Sequence, residues 1–356
     1  MPQYTRLVRH LKSFIFHSTL KKIINLMLVE SEWMLRRQTV WGRPYILIVD
    51  PTNVCNLRCP LCPTGTGDID RGQSMLSYEC FTQIIDRFAP YTYEVSLHNW
   101  GEPLLNKEIF KMIEYAQSKN IGTNMSTNLN TVRPSDIENT ARSSLEYLIV
   151  SLDGTTDEAY SHYRRNGNFQ IVMNNLQSLI EIKRRLKRRT PFIEWQFILM
   201  KHNIHQVEDA RRIAKEIGVD LLRFIPIGLP FNAKYKAKLR SEWFPELCDT
   251  SSGVDTFEHQ FLQKPRKSAC FYLYRSLIVN PDNRVSPCCH VYGKQNDFGD
   301  ILSQSPEQLW NNEHYRSARS LFSINGKPVV HTICEHCNVF ERRARNHSLV
   351  SSCEDE

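Results

Sequence analysis

The stretch Pro51-Thr-Asn-Val-Cys55-Asn-Leu-Arg-Cys59-Pro-Leu-Cys62-Pro63 places three cysteines at CxxxCxxC spacing directly after a predicted first strand, residues 45–50. A structural zinc site is tetrahedral and closed, so it needs a fourth ligand, and the local sequence offers none. His98, which lies further along the chain, could serve as a fourth zinc ligand. A four-iron cluster bound by three thiolates instead keeps one iron open to another ligand. The spacing therefore predicts a reactive metal centre beside the first strand.

The sequence after this motif alternates short apolar runs with longer amphipathic segments. Strands separated by helices imply right-handed crossovers and a parallel sheet, so we expect an α/β fold with a partial (β/α)6 barrel rather than a full eightfold one. The predicted strands are 45–50, 94–98, 122–126, 147–152, 192–199 and 221–226. The predicted helices are 77–88, 107–119, 134–140, 169–187 and 207–217. Functional side chains should then gather at the carboxyl ends of the strands.

The chain divides by composition into a barrel and its flanking segments. The predicted segments are an N-terminal amphipathic helical extension (1–44), the barrel (45–227), a Lys- and Pro-rich connection (228–266), a small C-terminal unit (267–345) and a tail (346–356). In the small unit, residues 276–285 predict two strands joined by a turn at Pro281-Asp282-Asn283, and residues 306–322 predict a helix.

Composition excludes several classes of protein. The 356 residues are 41% hydrophobic and 23% charged, which is typical of a globular protein and not of a fibrous or disordered one. No run of about 20 apolar residues is present, so no membrane-spanning helix is expected. Eleven cysteines, an odd number, without a secretory leader favour a reducing cytoplasm. The formal net charge of +7 favours anionic partners without choosing among them.

Further short motifs follow the next predicted strands in order. Trp100-Gly101-Glu102-Pro103 comes after the second strand, Ser126-Thr127-Asn128 after the third and Ser151-Leu152-Asp153-Gly154 after the fourth. Together with CxxxCxxC, this order resembles the radical SAM superfamily, in which S-adenosyl-L-methionine (SAM) chelates the open iron of a [4Fe-4S] cluster. The resemblance implies reductive cleavage of SAM to a 5′-deoxyadenosyl radical, which abstracts hydrogen from a substrate.

The resemblance also implies contacts to the methionine part of SAM. Backbone groups of Gly101 and Pro103, with the Glu102 carboxylate, would meet the methionine ammonium. Leu61 stands where many members carry an aromatic residue that packs on adenine, so stacking at this position is not expected.

Four other residues are implied contacts of the same cofactor. Ser126 and Asn128 fall in the segment that contacts the ribose. Ser151 would bond to the methionine carboxylate, and Arg164 would neutralise that carboxylate in a bidentate pair.

The small unit contains four further cysteines at C-x17-C and C-x2-C spacing, Cys270, Cys288, Cys334 and Cys337. This pattern resembles the twitch subdomain, the shortened relative of the SPASM domain, and implies one auxiliary [4Fe-4S] cluster with four cysteine ligands. By spacing alone, zinc is an equal alternative. Cys289 competes with Cys288 as the ligand. Asn283 stands where these domains usually have Gly, and Asn also adopts a left-handed turn.

The remaining candidates have both a functional and a structural interpretation. His98, Glu194 and Gln196 are substrate candidates if they point into the barrel; otherwise they are buried partners of neighbouring groups. The N-terminal helices either lie on an anionic membrane surface or dock on the barrel, in which case Ser18 and Thr19 are positioned to cap the second helix.

The leading functional expectation is a radical SAM oxidoreductase or epimerase. It would abstract hydrogen from a small polar substrate (a sugar, an aminocyclitol or a glycan-linked molecule) with electrons from an external donor such as flavodoxin or ferredoxin. The residue that donates or accepts hydrogen is not assigned. One alternative is a peptide-modifying maturase. Another is a zinc-stabilised nucleic-acid-binding protein, which is not expected because the basic residues are dispersed and no finger spacing is present.

Overall fold

A computed structural model describes residue 8 and residues 11–130, 133–229, 235–245, 269–323 and 326–337. The predicted tail, most of the predicted 228–266 connection, Cys248 and Cys353 lie outside these described residues.

Six parallel strands form the barrel sheet, and they are neighbours in the same order as in the chain. The strands are β1 Ile46–Val49, β2 Glu94–Ser96, β3 Gly122–Thr127, β4 Tyr147–Ser151, β5 Phe192–Leu199 and β6 Leu221–Pro226. Each strand pairs in parallel with the next. The predicted α/β fold with a partial barrel is confirmed, and each strand lies within two residues of its predicted position.

The helices that connect these strands begin at polar capping residues. Ser77 accepts a hydrogen bond from the Cys80 amide at 3.1 Å, and Asn168 accepts one from the Ile171 amide at 3.0 Å. The connecting helices are Tyr78–Phe88, Ile109–Ser118, Pro134–Arg142, Phe169–Arg185 and Val207–Ile217. Shorter helices are Pro63–Thr66, Asp157–Tyr163, Lys236–Trp243 and Tyr272–Arg275, with 3-10 turns at Pro103–Leu105, Ile204–Gln206, Lys294–Asn296 and Ile333–His336.

The core lies between the outer face of the sheet and these helices. In β5, Trp195 and Phe197 are fully buried in the main hydrophobic cluster. Glu194 and Gln196 alternate with them, so they face the inside of the barrel. This alternation separates the residues that stabilise the fold from those available to the site.

The C-terminal unit continues the same sheet. Its first strand, β7 (Ser276–Val279), pairs in parallel with β1, and the antiparallel strands β8 (Arg284–Ser286) and β9 (Gly299–Asp300) follow. The predicted turn is confirmed, with Asn283 in the left-handed region at a φ of 64°. The helix predicted over 306–322 is two helices, Pro306–Trp310 and Glu313–Ser320. The break occurs because Asn312 caps the second helix by accepting from the Tyr315 amide.

Two further helices lie outside the predicted barrel. Leu20–Met34 begins at Thr19, whose hydroxyl accepts from the Lys22 amide at 3.3 Å, as predicted. Lys236–Trp243 falls in the segment predicted to be an irregular connection, and Trp243 is 1% exposed beside Tyr163. The sequence did not predict this helix because Trp243 is its single buried residue, so the apolar periodicity that indicates a helix is almost absent.

Candidate active site

The first cysteine motif forms a loop at the carboxyl end of β1. The Cys62 amide donates to the Cys59 carbonyl oxygen at 3.1 Å, which closes a turn. The Cys55 sulfur accepts from the Leu57 amide at 3.4 Å and from the Asn128 side-chain amide at 3.8 Å. Hydrogen bonds of this kind stabilise a thiolate, so the loop is organised for metal binding.

Cys59 in this loop is buried, Cys55 and Cys62 are half-buried, and the three thiols lie within electrostatic range of one another. Burial raises the pKa of Cys55 to about 12 and that of Cys59 to about 11, and the charge of Cys62 adds to both increases. A bound metal displaces thiol protons and supplies the missing positive charge. The donor set therefore fits a metal centre.

Across the part of the chain that the structure describes, no three His, Cys, Asp or Glu side chains converge closely enough to hold one metal ion. Zinc needs that convergence, since its thiolate ligands all lie about 2.3 Å from one ion. A cluster binds each thiolate through a different iron, so its ligands can stand further apart.

Glu102 ties the loop after β2 to the end of β3. Its carboxylate accepts from the Thr127 hydroxyl at 2.6 Å, the Asn128 amide at 2.8 Å and the Leu104 amide at 3.2 Å. Burial raises its pKa, and these three bonds oppose the increase. Both carboxylate oxygens are thus engaged within the chain, and the contact with a methionine ammonium stays a prediction.

Gly101 lies against the chain that leads into the cysteine loop. A Cβ atom at this position would be 1.8 Å from the Thr52 carbonyl oxygen, so no other residue fits without movement of the backbone. Asp50, at the end of β1, accepts from the neighbouring Trp100 amide at 3.0 Å. Burial raises the pKa of Asp50 to about 7, although hydrogen bonds from backbone amides act in the opposite direction and lower it. Sequence reasoning missed Asp50, although a carboxylate that ends an apolar strand is a visible signal.

Ser126 and Ser151 meet at the carboxyl ends of adjacent strands. Their hydroxyl oxygens are 3.4 Å apart. Asn128 bonds through its side-chain amide to Cys55 and, at 3.0 Å, to Asn56, and its contact with a ribose stays a prediction. The three predicted residues therefore share one rim with the cysteine loop, and Asn128 lies closest to a thiol.

Arg164 lies beside the cysteine loop in a buried ion pair. Its Nε donates to Asp153 Oδ2 at 2.6 Å, and Nη1 is 4.0 Å from the Cys59 sulfur. Asp153 is fully buried and also accepts from the Ile198 amide at 2.7 Å. The guanidinium thus has a partner inside the chain, and its contact with a methionine carboxylate stays a prediction.

Inside the barrel, the substrate candidates Glu194 and Gln196 share one partner, Arg223. Arg223 Nε donates to Glu194 at 2.6 Å, and its Nη2 donates to Gln196. Tyr147 donates to the other oxygen of Glu194. Sequence reasoning missed Arg223, because β6 carries no clear alternation that would identify its inward face. The third candidate, His98, is half-buried just beyond β2.

The structure brings together the four cysteines predicted for the auxiliary site, Cys270, Cys288, Cys334 and Cys337. Burial raises the pKa of Cys270 to about 11, and the charge of Cys337 adds to it. Burial also raises the pKa of Cys288, with contributions from Cys289, Cys334 and Cys270. The Cys289 thiol donates to the Tyr272 hydroxyl at 3.2 Å. Cys288 therefore lies within electrostatic range of Cys270 and Cys334, and Cys289, which lies within range of Cys270, donates its thiol hydrogen bond to Tyr272.

An aromatic contact lies between the two cysteine groups. The rings of Trp100 and Tyr292 meet edge to face with centroids 5.7 Å apart. Burial raises the pKa of Tyr292, and the charges of Asp68 and Cys62 add to the increase. Tyr292 also follows Cys288 by four residues, so it lies beside both cysteine loops.

Comparison with known proteins identifies these features. Residues 49–194 match the family model of the radical SAM superfamily, and residues 270–338 match that of SPASM, an iron–sulfur cluster-binding domain. The chain belongs to the radical SAM superfamily. Iron–sulfur clusters and SAM are therefore its cofactors, and the radical SAM barrel and SPASM domain correspond to the two cysteine-bearing parts of the sheet.

Curated relatives of this radical SAM protein have different named activities. The mycofactocin maturase MftC of Mycobacterium ulcerans is 26% identical over 180 residues, which cover 50% of this chain and 46% of the maturase. The AdoMet-dependent heme synthase of Nitratidesulfovibrio vulgaris is 21% identical over 338 residues, which cover 84% of this chain and 87% of the synthase. The chain spans about half the length of the maturases that it matches.

Solved radical SAM structures share the fold. Streptococcus suis SuiB bound to S-adenosylmethionine superposes with a TM-score of 0.59 at 14% identity, over 86% of this chain and 73% of SuiB. Native anSMEcpe with bound AdoMet gives a TM-score of 0.55 at 16% identity, over 88% of this chain and 100% of anSMEcpe. Among the described residues, no helix has the length and apolar content needed to cross a membrane.

Proposed function

We propose that this radical SAM protein binds its SAM cluster through Cys55, Cys59 and Cys62 and removes hydrogen from a small polar substrate, leading to oxidation or epimerisation. With both cofactors bound, an electron from the cluster cleaves SAM and provides the radical that takes the hydrogen. The observation that supports this most is that the cysteine loop at the end of β1, bonded to Asn128 through Cys55, shares one rim with Ser126 and Ser151.

The residues around the cysteine loop have separate roles in this proposal. Asn128 orients the Cys55 thiolate, and Arg164 places positive charge beside Cys59. Ser126 and Ser151 supply hydroxyl groups for the methionine and ribose ends of SAM. Glu102 and Gly101 hold the loop after β2 against the end of β3, where the cofactor would lie.

The polar side chains on the inner face of the barrel favour a polar substrate. Ser151, Gln196 and Arg223 are paired across three neighbouring strands, so their side chains lie at one level near the rim. Glu194, Gln196 and Arg223 together offer a carboxylate, an amide and a guanidinium. Such groups bond to the hydroxyl and amino substituents of a sugar, an aminocyclitol or a glycan-linked molecule.

The SPASM part supports a single auxiliary cluster. We assign its ligands as Cys270, Cys288, Cys334 and Cys337, and its role as the acceptor or relay of the electron released when the substrate radical is oxidised. Flavodoxin or ferredoxin would supply the electron for SAM cleavage, as expected for a protein of a reducing cytoplasm.

Peptide modification is the second candidate function. It is favoured by the 26% identity to a mycofactocin maturase, although that match covers half of this chain. A peptide would enter the same rim and present one side chain to the inward-facing polar groups.

The first experiment tests the cofactor assignment. Under anaerobic conditions with a chemical reductant and SAM, the parent protein should release 5′-deoxyadenosine, and Cys59→Ala should release none. Cys80→Ala is the matched control, since Cys80 lies in the helix Tyr78–Phe88 and belongs to neither cysteine group. Equal 5′-deoxyadenosine formation by the parent and Cys59→Ala would refute the assignment.

The second experiment separates the two substrate classes. Nucleotide-linked sugars, aminocyclitols and synthetic peptides are incubated with the enzyme in deuterated solvent, and the products are analysed by mass spectrometry. A mass change confined to sugars or cyclitols supports the proposal. A mass change confined to peptides replaces it with the maturase function.

A further inference from the structure

The helix Leu20–Met34 presents its polar side to the protein and its apolar side to solvent. Its buried residues are Lys22, Asn25, Val29 and Glu32, three of them polar. These positions are three or four apart, so they share one face. Leu20, Ile23, Ile24, Met27 and Met34 share the opposite face, and each is 41% exposed or more. A helix that packs on a soluble domain normally has the reverse arrangement.

Hydrogen bonds explain why the polar side points inward. Lys22 Nζ donates to the Asn120 carbonyl oxygen at 2.6 Å. The Asn25 side chain exchanges two bonds with the Arg43 backbone, at 2.9 and 2.8 Å. Glu32 accepts from the Trp41 amide at 2.7 Å. These bonds hold the helix in this orientation, so the outward apolar side is a stable feature of the fold.

The outward apolar side belongs to a larger surface that includes the preceding helical segment, residues 11–16. Ten of the fifteen large apolar side chains that are exposed in the described residues fall between 11 and 41. We name the exposed apolar residues of these two helical segments the N-terminal apolar face; they are Leu11, Ile15, Phe16, Leu20, Ile23, Ile24, Met27 and Met34. Single exposed apolar residues are ordinary, but a concentration of this size marks an interaction site.

The charge around this face indicates what covers it. Residues 1–44 contain eight Lys or Arg and two Glu; Lys22 and Arg43 are buried against the protein, whereas Lys12, Lys21 and Arg37 are exposed. Lys12 and Lys21 are exposed between the apolar residues. Two copies of the chain meeting through this face would bring like charges together, whereas an anionic lipid surface is complementary to it. Exposed Phe16 suits the interface between headgroups and acyl chains.

We propose that the N-terminal apolar face binds peripherally to an anionic membrane surface. The apolar side chains would insert between the lipid headgroups, and Lys12 and Lys21 would pair with lipid phosphates. This inference is independent of the proposed reaction.

The position of the helices determines how the bound protein faces the membrane. Phe14 stacks on Tyr93, just before β2, with ring centroids 4.6 Å apart. His17 bonds to Glu146, just before β4, at 2.5 Å. Both contacts are at the amino-terminal end of the parallel sheet, and the cysteine loop is at the carboxyl end. A membrane-bound molecule would therefore open its rim toward the aqueous side.

Vesicle flotation of the full chain tests this proposal. Vesicles of phosphatidylcholine alone are compared with vesicles of equal parts phosphatidylcholine and phosphatidylglycerol. We expect the parent to float with the anionic vesicles and less as salt increases. Ile24→Glu should weaken binding about tenfold or more, and Lys21→Glu about fivefold to tenfold.

A matched control keeps this test specific. Ile171→Glu makes the same substitution at an exposed position of the helix Phe169–Arg185, and it should bind vesicles like the parent. Circular dichroism checks that every variant is folded. Two results would overturn the proposal: no flotation of the folded parent with anionic vesicles, or a parent dimer in sedimentation that Ile24→Glu converts to a monomer. The second would assign the face to self-association.

Discussion

Arg164 Nε donates a 2.6 Å hydrogen bond to Asp153, a carboxylate that has no exposed surface. The far side of the same guanidinium is 4.0 Å from the Cys59 sulfur. The charge of this pair therefore acts directly on the proposed SAM cluster.

Asp153→Asn should raise the reduction potential of that cluster. It removes a negative charge while the guanidinium keeps its positive one, and cluster potentials rise with positive charge nearby. We expect an increase on the order of tens of millivolts. Potentiometry monitored by electron paramagnetic resonance, without SAM, measures it.

A second substitution controls for altered folding. Arg164→Met in the Asp153→Asn background removes both charges and should return the potential toward the parent value. Two results would contradict the electrostatic account. One is a double variant whose cluster has as high a reduction potential as that of Asp153→Asn. The other is an Asp153→Asn variant whose potential is lower than that of the parent.

Cys288 and Cys289 should differ in their effect on iron content. Cys288→Ala removes a proposed ligand and should lose about four of about eight irons per chain. Cys289→Ala removes a thiol bonded to Tyr272 and should keep them all. Iron analysis with Mössbauer spectroscopy distinguishes the variants, and the reverse result would make Cys289 the ligand.

Gly101→Ala should destabilise the protein because its Cβ would lie 1.8 Å from the Thr52 carbonyl oxygen. Overpacking of this kind costs roughly 1–3 kcal/mol of unfolding free energy, and more when backbone atoms must move. Gly72→Ala is the matched control, since a Cβ there has no neighbour within 4 Å. Urea denaturation measures both; equal stability of the two variants would show that the loop adjusts freely.

Glu146 makes stability depend on pH. Burial tends to raise its pKa, but bonds from His17, Gln117 and Ser13 outweigh burial, so the pKa lies below the usual 4.5. A lowered carboxyl pKa in the folded state stabilises the protein above the unfolded pKa, and this contribution is lost as pH falls through the folded value.

Glu146→Gln should therefore show a smaller loss of unfolding free energy than the parent as the pH falls below about 5. Denaturant titrations at several pH values provide the measurement. Glu138→Gln serves as the control, because Glu138 makes only an exposed pair with Arg142, 47% and 53% exposed. If the unfolding free energy of the parent changed with pH as little as that of Glu146→Gln, the pH dependence could not be assigned to Glu146.

The strands and helices of the barrel were predictable because apolar periodicity reports local structure directly. β5 is an example, since Trp195 and Phe197 alternate with Glu194 and Gln196. The turn at Asn283 was also predictable, because Asn tolerates a positive φ. The order of motifs after consecutive strands placed the cysteine loop, Ser126 and Ser151 on one rim for the same reason.

Contacts between distant segments were not predictable from these patterns. Periodicity shows that Leu20–Met34 is amphipathic, but not that backbone groups near Arg43 and Asn120 turn its polar side inward. A short motif shows that Glu102 follows β2, but not that Thr127 and Asn128 engage both of its oxygens. The β7 partner of β1 lies far away in the chain and gives no local signal.

That last pairing has a consequence for synthesis of the chain. β1 is synthesised long before one of its two neighbours, Ser276–Val279, because residues 50–275 lie between them in the chain. Until then the nascent barrel has an open strand edge that other polypeptides can join. Premature termination before residue 276 should therefore yield fragments that aggregate through this edge.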